Sequence, residues 1–276
     1  MNKGELLGKG MTSEVFSWGQ NKVLKLFFEN YNPAWVEHEA EVCRKIHSIG
    51  IPSPEVFDIV NVDNRKGIVF ERISGKTLVE ALAQEPWLFG RFVYEMANFQ
   101  YRIHKHSVDG LPSQKEMFSR RIKSSSGVLR ERTGKILGYL DKLPDGDRVC
   151  HGDFYLGNIM MRKKDMVAID WSTCYKGNPA SDVAITCLII NSPVVPPGIP
   201  ALLSGISAYP RWMTYTAYLD EYLRLSKIKA EEVSAWMLPV AAARLTDKIP
   251  GEEKWLMEII DKRLQGKQDI PGKLGQ

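Results

Sequence analysis

The chain has 276 residues, of which 44% are hydrophobic and 25% are charged, and its formal net charge is +4 at pH 7. These values are ordinary for a soluble globular protein and leave room for two lobes. No long run of Lys and Arg is present, and no apolar run approaches the roughly 20 residues of a membrane span, which argues against nucleic acid and a membrane as partners. We therefore expect a cytoplasmic protein, and its four scattered cysteines, without a C-x-x-C pair, are expected to be reduced and mostly buried.

A strand–turn–strand pattern extends from Leu6 to Phe16, with glycines in its turn. Gly8 and Gly10 allow the backbone to approach a phosphate closely, and Ser13 offers a hydroxyl and an amide donor. The segment reads G-x-G-x-x-S, so it lacks the third glycine of a protein-kinase loop. Most turns of this kind are plain hairpin turns, and both interpretations stay open at this point.

A third strand, Lys22 to Phe28, carries Lys25 between apolar neighbours. Alternate residues of a strand point to the same face, so Lys25 lies inside the fold if Val23 does. A buried ammonium group needs a partner. The alternative is an exposed lysine on an edge strand.

The next pattern predicts a helix over residues 32–50, because Asn-Pro is a favoured start and glycine a favoured stop. Its apolar residues recur at helical spacing: Val36, Ala40, Cys43 and Ile46. Glu39 falls at the edge of this stripe, and we expect it to pair with Lys25. Glu37 and Glu41 point elsewhere and are interpreted as solvated carboxylates.

Two strands, Val56 to Val60 and Lys66 to Phe70, follow, and the periodicity then becomes helical. Phe89 to His104 predicts a helix with a core face. We interpret His104 as a helix-end histidine satisfied by local hydrogen bonds rather than as a metal ligand. Glu116 to Leu140 predicts a basic amphipathic helical stretch.

The segment from Val149 to Trp171 reads V-C-H-G-D-F-Y-L-G-N-I-M-M-R-K-K-D-M-V-A-I-D-W. Ile159 to Met161 and Met166 to Ile169 predict the two strands of a β-hairpin. A hairpin brings its ends together, so Asn158 should lie near Asp170. The two side chains can then share Mg²⁺, which prefers oxygen ligands of this kind.

Asp153 lies five residues before Asn158. A carboxylate at this position can orient an acceptor hydroxyl and take its proton during phosphoryl transfer. For the segment alone, the alternative is an acidic surface hairpin, since Asp, Asn and Gly are ordinary turn residues.

The pattern H-x-D-x-x-x-x-N, formed by His151, Asp153 and Asn158 and followed by I-D-W, resembles the catalytic core of the aminoglycoside phosphotransferase and choline kinase branch of the kinase-like fold. The resemblance implies an α+β, two-lobed protein-kinase-like fold. Residues 1–73 would form a small antiparallel-sheet lobe that binds the nucleotide. Residues 74–276 would form a larger, mainly helical lobe with the catalytic and acceptor-binding groups.

The resemblance also implies roles for individual residues. Lys25, supported by Glu39 on its E-A-E-V helix, would hold the nucleotide phosphates. The hinge backbone from Glu71 to Ile73 would bind the adenine edge. Asp182, in a P-x-x-D-x-A segment, would brace the catalytic loop.

We therefore predict a small-molecule kinase that moves the γ-phosphate of Mg-ATP or Mg-GTP to a hydroxyl of an aminoglycoside-like, amino-alcohol or sugar acceptor. Asp153 would act as the base, and Asn158 and Asp170 as ligands of Mg²⁺. A non-catalytic nucleotide-binding module of the same fold is disfavoured because both metal ligands and the base are present. A protein kinase is disfavoured by the H-G-D and I-D-W forms and by the lack of A-P-E.

The C-terminal part is predicted to be helical after a helix over 182–190 that is capped by Ser181. A proline-rich irregular segment is expected at 191–200. Four helices are expected after it, at 201–204, 211–225, 230–245 and 252–264, and a loosely ordered tail at 265–276. The predicted helix over 211–225 carries Trp212 and three tyrosines. They can contact an acceptor, but aromatic residues at helical spacing are more often part of the core.

Overall fold

The computed structural model of the chain describes residues 3–163, 165–194 and 211–266. Packing divides the described residues into two compact units. The first takes its residues from 1–78 and 157–173, and the second from 79–156 and 174–276. The predicted lobe boundary after residue 73 stays a prediction, and the predicted helix over 201–204 lies outside the described residues.

An antiparallel sheet of five strands forms most of the first unit, in the order β1-β2-β3-β5-β4. The strands are β1 (Leu6–Lys9), β2 (Ser13–Ser17), β3 (Lys22–Phe27), β4 (Val56–Val62) and β5 (Arg65–Glu71). Leu24 and Leu26 of β3 are fully buried, which leaves Val23 and Lys25 together on the opposite face. Since β3 is the central strand, the edge-strand alternative for Lys25 is wrong.

Helix α1 (Pro33–Ser48) packs against β4 and β5. The Asn32 side chain accepts a hydrogen bond from the Ala34 amide at 2.9 Å, and the helix is followed by Gly50 at a φ of +80°. The four residues of the predicted stripe are all buried. The cap, the stop and the buried face of this helix are therefore confirmed.

The predicted hairpin is present as β8 (Ile159–Arg162) and β9 (Asp165–Ala168), and it packs in the first unit. A short strand, β6 (Lys76–Thr77), pairs with β8 and completes a three-stranded sheet. Gly75 lies so close to β8 that a Cβ atom on it would meet the Met161 carbonyl oxygen at 1.8 Å. Only glycine fits at this position without moving the strand.

The second unit is mainly helical. Its helices are α2 (Leu78–Gln84), α3 (Phe89–Ile103), α4 (Gln114–Ser124), α5 (Ser126–Leu129), α6 (Arg132–Leu140), α7 (Pro179–Asn191), α8 (Arg211–Ser226), α9 (Ala230–Arg244) and α10 (Glu253–Leu264). Two short strands, β7 (Arg148–Cys150) and β10 (Tyr175–Gly177), pair antiparallel. The predicted basic stretch is divided into three helices, and the backbone of Arg130 turns left-handed at a φ of 53° between the last two.

Helix α7 is the buried centre of this unit and packs against α8 and α9. Its cap corrects the prediction made for Ser181: the Asn178 side chain accepts from the Ala180 amide at 2.9 Å, and Pro179 occupies the first turn. The reason is the same Asn-Pro start that begins α1. Ser181 is instead buried and donates to the Asn178 carbonyl oxygen.

All four cysteines are buried free thiols, as expected. No helix in the described part of the chain combines the length and the hydropathy that a membrane span requires.

Candidate active site

A lysine bound to two carboxylates lies within the first unit. The Lys25 ammonium donates to Glu39 Oε1 at 2.7 Å and to Asp170 Oδ1 at 3.0 Å. The central strand supplies the lysine, α1 the glutamate and the end of the hairpin the aspartate. The predicted pairing of Lys25 with Glu39 is confirmed, and Asp170 joins it.

The charges of this cluster keep Lys25 ionised. Burial by itself would lower the pKa of Lys25, but the Asp170 and Glu39 carboxylates outweigh it and raise the pKa above its ordinary value. Burial raises the pKa of Glu39, although Lys25 opposes the effect. The second oxygen of Glu39, Oε2, is buried and has no hydrogen-bond partner among the described residues.

The two neighbouring glutamates of α1 face away from the cluster. Glu37 pairs with Lys66, and Glu41 pairs with Lys45 at 2.7 Å. More than half of each glutamate side chain is exposed. Both are the solvated carboxylates that the helix periodicity predicted.

The two predicted metal ligands stand at the ends of the hairpin. The Ile169 amide donates to the Asn158 carbonyl oxygen at 2.9 Å, so the ends are adjacent, as predicted. Asp170 has a φ of 61°, a rare conformation for a residue with a side chain, and Ser172 donates to its Oδ1 at 3.0 Å. Strained backbone of this kind persists only where the surroundings hold it.

The donor chemistry fits Mg²⁺. An amide oxygen on Asn158 and a carboxylate on Asp170 are hard oxygen ligands. Within the described residues no three His, Cys, Asp or Glu side chains gather as a metal-binding group. Mg²⁺ does not need such a group, because it commonly binds one or two protein ligands together with water and substrate phosphates.

The glycine turn between β1 and β2 is tight. The Gly10 amide donates to the Ser13 carbonyl oxygen at 2.8 Å, and Ser13 itself is buried. A Cβ atom on Gly8 would meet no described atom within 4 Å, so packing within the fold does not explain this glycine. Space above the turn is what a phosphate would need.

The predicted hinge has a defined set of backbone donors. The Glu71 amide donates to the Glu55 carbonyl oxygen at 2.8 Å, and the Arg72 amide to that of Asn21 at 3.0 Å. The Glu71 side chain pairs with Arg162 at 3.1 Å. Of the three predicted hinge residues, Ile73 is thus the one whose amide is not engaged by any described residue.

The loop that carries Asp153 belongs to the second unit and is held on both sides by α7. The amides of His151 and Gly152 donate to the two carboxylate oxygens of Asp182, at 3.0 and 2.7 Å. One helical turn later, the Thr186 hydroxyl donates to the carbonyl oxygen of Phe154 at 3.0 Å. The predicted bracing of this loop by Asp182 is confirmed, and Thr186 adds a further hydrogen bond to it.

Asp182 is fully buried. Burial alone would raise its pKa, but the hydrogen bond and the charge of His104, together with further donors, hold the pKa below its ordinary value. His104 Nε2 lies 3.0 Å from Asp182 Oδ2, and Nδ1 lies 2.5 Å from the Tyr222 hydroxyl. His104 is therefore satisfied, but the prediction of local partners is wrong, because sequence spacing does not show which helices pack together.

The aromatic residues of α8 divide into two kinds. Tyr215, Tyr218 and Tyr222 are buried, in agreement with the core interpretation, whereas Trp212 is exposed. The three buried tyrosines therefore do not support a role in binding the acceptor.

Sequence reasoning missed Tyr31. Its ring stacks on that of Phe27, with centroids 4.8 Å apart, and the Lys25 ammonium lies 5.3 Å from the Phe27 centroid. Burial and the charge of Glu39 raise the pKa of Tyr31. Because Tyr31 follows the end of β3 and precedes α1, it belongs to neither periodic pattern, and no sequence signal indicated this contact.

Comparisons with known proteins identify a family and a fold for this chain. A family model described as the phosphotransferase enzyme family matches residues 4–222. A thermostable mutant of aminoglycoside phosphotransferase APH(4)-Ia is 16% identical, with 98% of this chain and 94% of that chain covered and a TM-score of 0.61. APH(3'')-Id from Streptomyces rimosus is 17% identical, with coverages of 88% and 92% and a TM-score of 0.59.

A third similar structure is the ternary complex of APH(2'')-IIa with streptomycin and ATP. It is 17% identical, with coverages of 98% and 93% and a TM-score of 0.55. No curated relative matches the chain. At these identities the likenesses establish the fold, and the predicted kinase-like α+β fold is confirmed.

Proposed function

Because the chain belongs to the phosphotransferase enzyme family, we propose that it moves the γ-phosphoryl group of ATP or GTP to a hydroxyl of a small molecule. The proposed acceptor classes are an aminoglycoside-like compound, an amino alcohol and a sugar. A similar structure holds streptomycin and ATP, which supports this choice of donor and acceptor.

The Lys25 cluster is the observation that carries the proposal. A lysine that remains charged, fastened by Glu39 and placed 3.0 Å from Asp170, offers a fixed positive charge to triphosphate oxygens. Phosphoryl transfer needs little covalent help from the protein, so positioning and charge stabilisation supply most of the catalysis. In this proposal Gly8 and Gly10 let the backbone approach the phosphates closely, and Ser13 offers a hydroxyl or amide donor.

The remaining residues divide between the adenine, the metal and the acceptor. The Ile73 amide binds the adenine edge next to the Glu71 backbone. Asn158 and Asp170 would hold Mg²⁺, which, when bound, neutralises charge on the phosphate oxygens. Asp153 orients the acceptor hydroxyl and receives its proton on a carboxylate oxygen.

The test is a phosphate-transfer screen across a library of hydroxyl compounds, with ATP or GTP and Mg²⁺. Mass spectrometry of the acceptor and release of the nucleoside diphosphate are the two readouts. Asp153→Asn, which keeps shape and removes the base, is the matched control. Nucleotide binding without transfer to any compound would favour the non-catalytic module, and transfer to protein substrates alone would favour a protein kinase.

A further inference from the structure

The backbone on both sides of Asp153 is held by side chains of one helix. The amides of the two residues before it donate to Asp182 at 3.0 and 2.7 Å. The carbonyl oxygen of Phe154, directly after it, accepts a hydrogen bond from the Thr186 hydroxyl at 3.0 Å. Asp182 and Thr186 lie four residues apart on α7, and residues at this spacing share a face of a helix. The loop is therefore fixed at two points, one before and one after Asp153.

The acceptor of the Thr186 hydroxyl lies outside its own helix. A threonine inside a helix commonly bonds a carbonyl oxygen of the preceding helical turn. Thr186 instead donates to a residue 32 positions earlier in the chain. Both Thr186 and Phe154 are fully buried. Loss of the hydroxyl would leave a buried carbonyl oxygen without this donor, and such groups are costly to leave unpaired.

The Gln100 side chain on α3 joins the two fixed points. Because the lowered pKa of Asp182 keeps its carboxylate ionised, it only accepts, and the amide nitrogen Nε2 of Gln100 must face it. This nitrogen carries two hydrogens, and it donates to Asp182 Oδ2 at 3.0 Å and to Thr186 Oγ1 at 3.1 Å. The amide oxygen Oε1 accepts from the Tyr218 hydroxyl of α8.

The Gln100 amide thereby sets the direction of the Thr186 hydroxyl. A hydroxyl group has one hydrogen to donate. Thr186 Oγ1 lies 3.0 Å from the Phe154 carbonyl oxygen and 3.4 Å from Gln100 Oε1. Because Oε1 already accepts from Tyr218, and because Gln100 Nε2 donates to Oγ1, the hydroxyl hydrogen points to Phe154.

We propose that Thr186 is a positioning residue for Asp153, because its hydroxyl fixes the carbonyl group of the residue that directly follows the proposed base. This inference rests on the proposed function for the role of Asp153. With the chain held before and after it, the backbone of Asp153 cannot rotate without breaking a buried hydrogen bond. The Cα–Cβ bond of Asp153 therefore keeps one direction. A catalytic group displaced by about 1 Å can lose roughly 10²-fold in rate.

The first test compares side chains at position 186 with and without a hydroxyl. Thr186→Val keeps the shape and removes the hydroxyl, whereas Thr186→Ser keeps the hydroxyl and removes a methyl group. Thr186→Val should lower kcat about tenfold and leave the nucleotide KM unchanged, and Thr186→Ser should stay within about twofold of wild type, as expected for displacement of the base. Thr246→Val removes a hydroxyl that donates to the Ala243 carbonyl oxygen at 2.6 Å, and this matched control should change neither value.

Three kinetic results would overturn the inference: a wild-type kcat in Thr186→Val, equal losses in the Val and Ser variants, or a change in the nucleotide KM alone. Equal losses would mean that position 186 matters for packing rather than for its hydroxyl. If Thr186→Val folds poorly, Thr186→Ser and Thr186→Ala decide instead, because these two variants differ from each other only in the hydroxyl. Their kcat values should differ about tenfold, and equal values contradict the proposal.

The second test needs no acceptor. Amide exchange within residues 151–155 should accelerate about tenfold in Thr186→Val and stay close to the wild-type rate in Thr186→Ser. Unchanged exchange in Thr186→Val, or the same acceleration in both variants, would overturn the inference. If the wild type transfers phosphate to no acceptor, the proposed function fails, while the exchange measurement still decides whether the Thr186 hydroxyl holds the loop.

Discussion

At the scale of single residues, the positions of Lys25 and its neighbours distinguish one glutamate from two others on the same helix. Glu39 is 3% exposed and bonded to Lys25, whereas 61% of the Glu37 side chain is exposed. Burial makes the first pair costly to break, because removal of one partner leaves a charge without compensation. Exposed pairs such as that of Glu37 contribute little.

Lys25→Ala should therefore reduce turnover about 10²-fold, as expected when a fixed charge on the phosphates is lost. Glu39→Ala should reduce it less, because the lysine still has Asp170. Lys25→Arg should not restore activity, since a planar guanidinium differs from a compact ammonium. Steady-state turnover and nucleotide titration measure the effects, with Glu37→Ala as the control; a larger loss in that control than in Glu39→Ala contradicts the assignment.

In the proposed function, replacements of Asp153 and Asp170 should have different effects. Asp170 touches Lys25 and stands beside Asn158, so Asp170→Asn removes charge needed to bind Mg²⁺ and nucleotide. Asp153→Asn removes the base, which is worth about 10²–10⁴ in rate, and should leave nucleotide affinity intact. Calorimetric titration beside turnover measures both; loss of nucleotide binding only in Asp153→Asn would reverse the roles.

At the scale of elements, Gly75 allows β6 and β8 to lie close together. The 1.8 Å approach of a Cβ atom on residue 75 to the Met161 carbonyl oxygen cannot be relieved by a side-chain rotation, because the obstacle is backbone. Gly138, in α6, faces open space among the described residues. The two glycines therefore offer a matched pair.

Gly75→Ala should lower the free energy of unfolding by about 2 kcal/mol, the usual cost of forcing extra volume into a packed site. Gly138→Ala should raise it by about 0.5 kcal/mol, because alanine favours a helix interior. Urea unfolding of both variants measures the difference. Equal stability of the two would show that β6 and β8 adjust without strain.

Helix α7 and the loop it holds should show a dependence on pH that comes from Asp182. A pKa below its ordinary 3.8 means that the stabilisation is complete above that value and is lost as the pH falls through the lower, folded-state pKa. Asp182→Asn should cost about 3 kcal/mol near neutral pH, with the difference from wild type shrinking only below about pH 4. Acid and urea unfolding of the wild type and the variant measure this difference in stability. Asp147→Asn, at an exposed carboxylate, is the control. If the difference between wild type and Asp182→Asn shrinks near pH 6, the assignment to Asp182 is contradicted.

At the scale of the whole molecule, nucleotide binding should raise the free energy of unfolding. A ligand that binds only the folded state at 100 times its Kd adds about 2.7 kcal/mol, which for a chain of this size raises Tm by roughly 5–10 °C. A thermal-shift titration with ATP or GTP and Mg²⁺ measures it. Omission of Mg²⁺ and the Lys25→Ala variant should each reduce the shift, and no shift with either nucleotide at millimolar concentration would exclude nucleotide binding.

The sequence by itself determined the features that depend on neighbours along the chain. The Asn-Pro start and glycine stop of α1, the alternation of β3 and the hairpin before Asp170 all follow from local backbone preferences and side-chain period. The helical period of α1 was also sufficient to choose Glu39, because only this glutamate borders the apolar stripe. The spacing of His151, Asp153 and Asn158 was sufficient to indicate the family.

Only the tertiary structure decided which distant residues meet. His104 was predicted to bond locally, yet its partners are 78 and 118 residues away, because α3, α7 and α8 pack together around Asp182. The requirement for glycine at position 75 likewise arises from a strand that returns more than eighty residues later. Side-chain period shows which face of an element is buried, but packing of the whole chain selects the element that covers it. The hydrogen bonds that hold the loop carrying Asp153 depend on that selection.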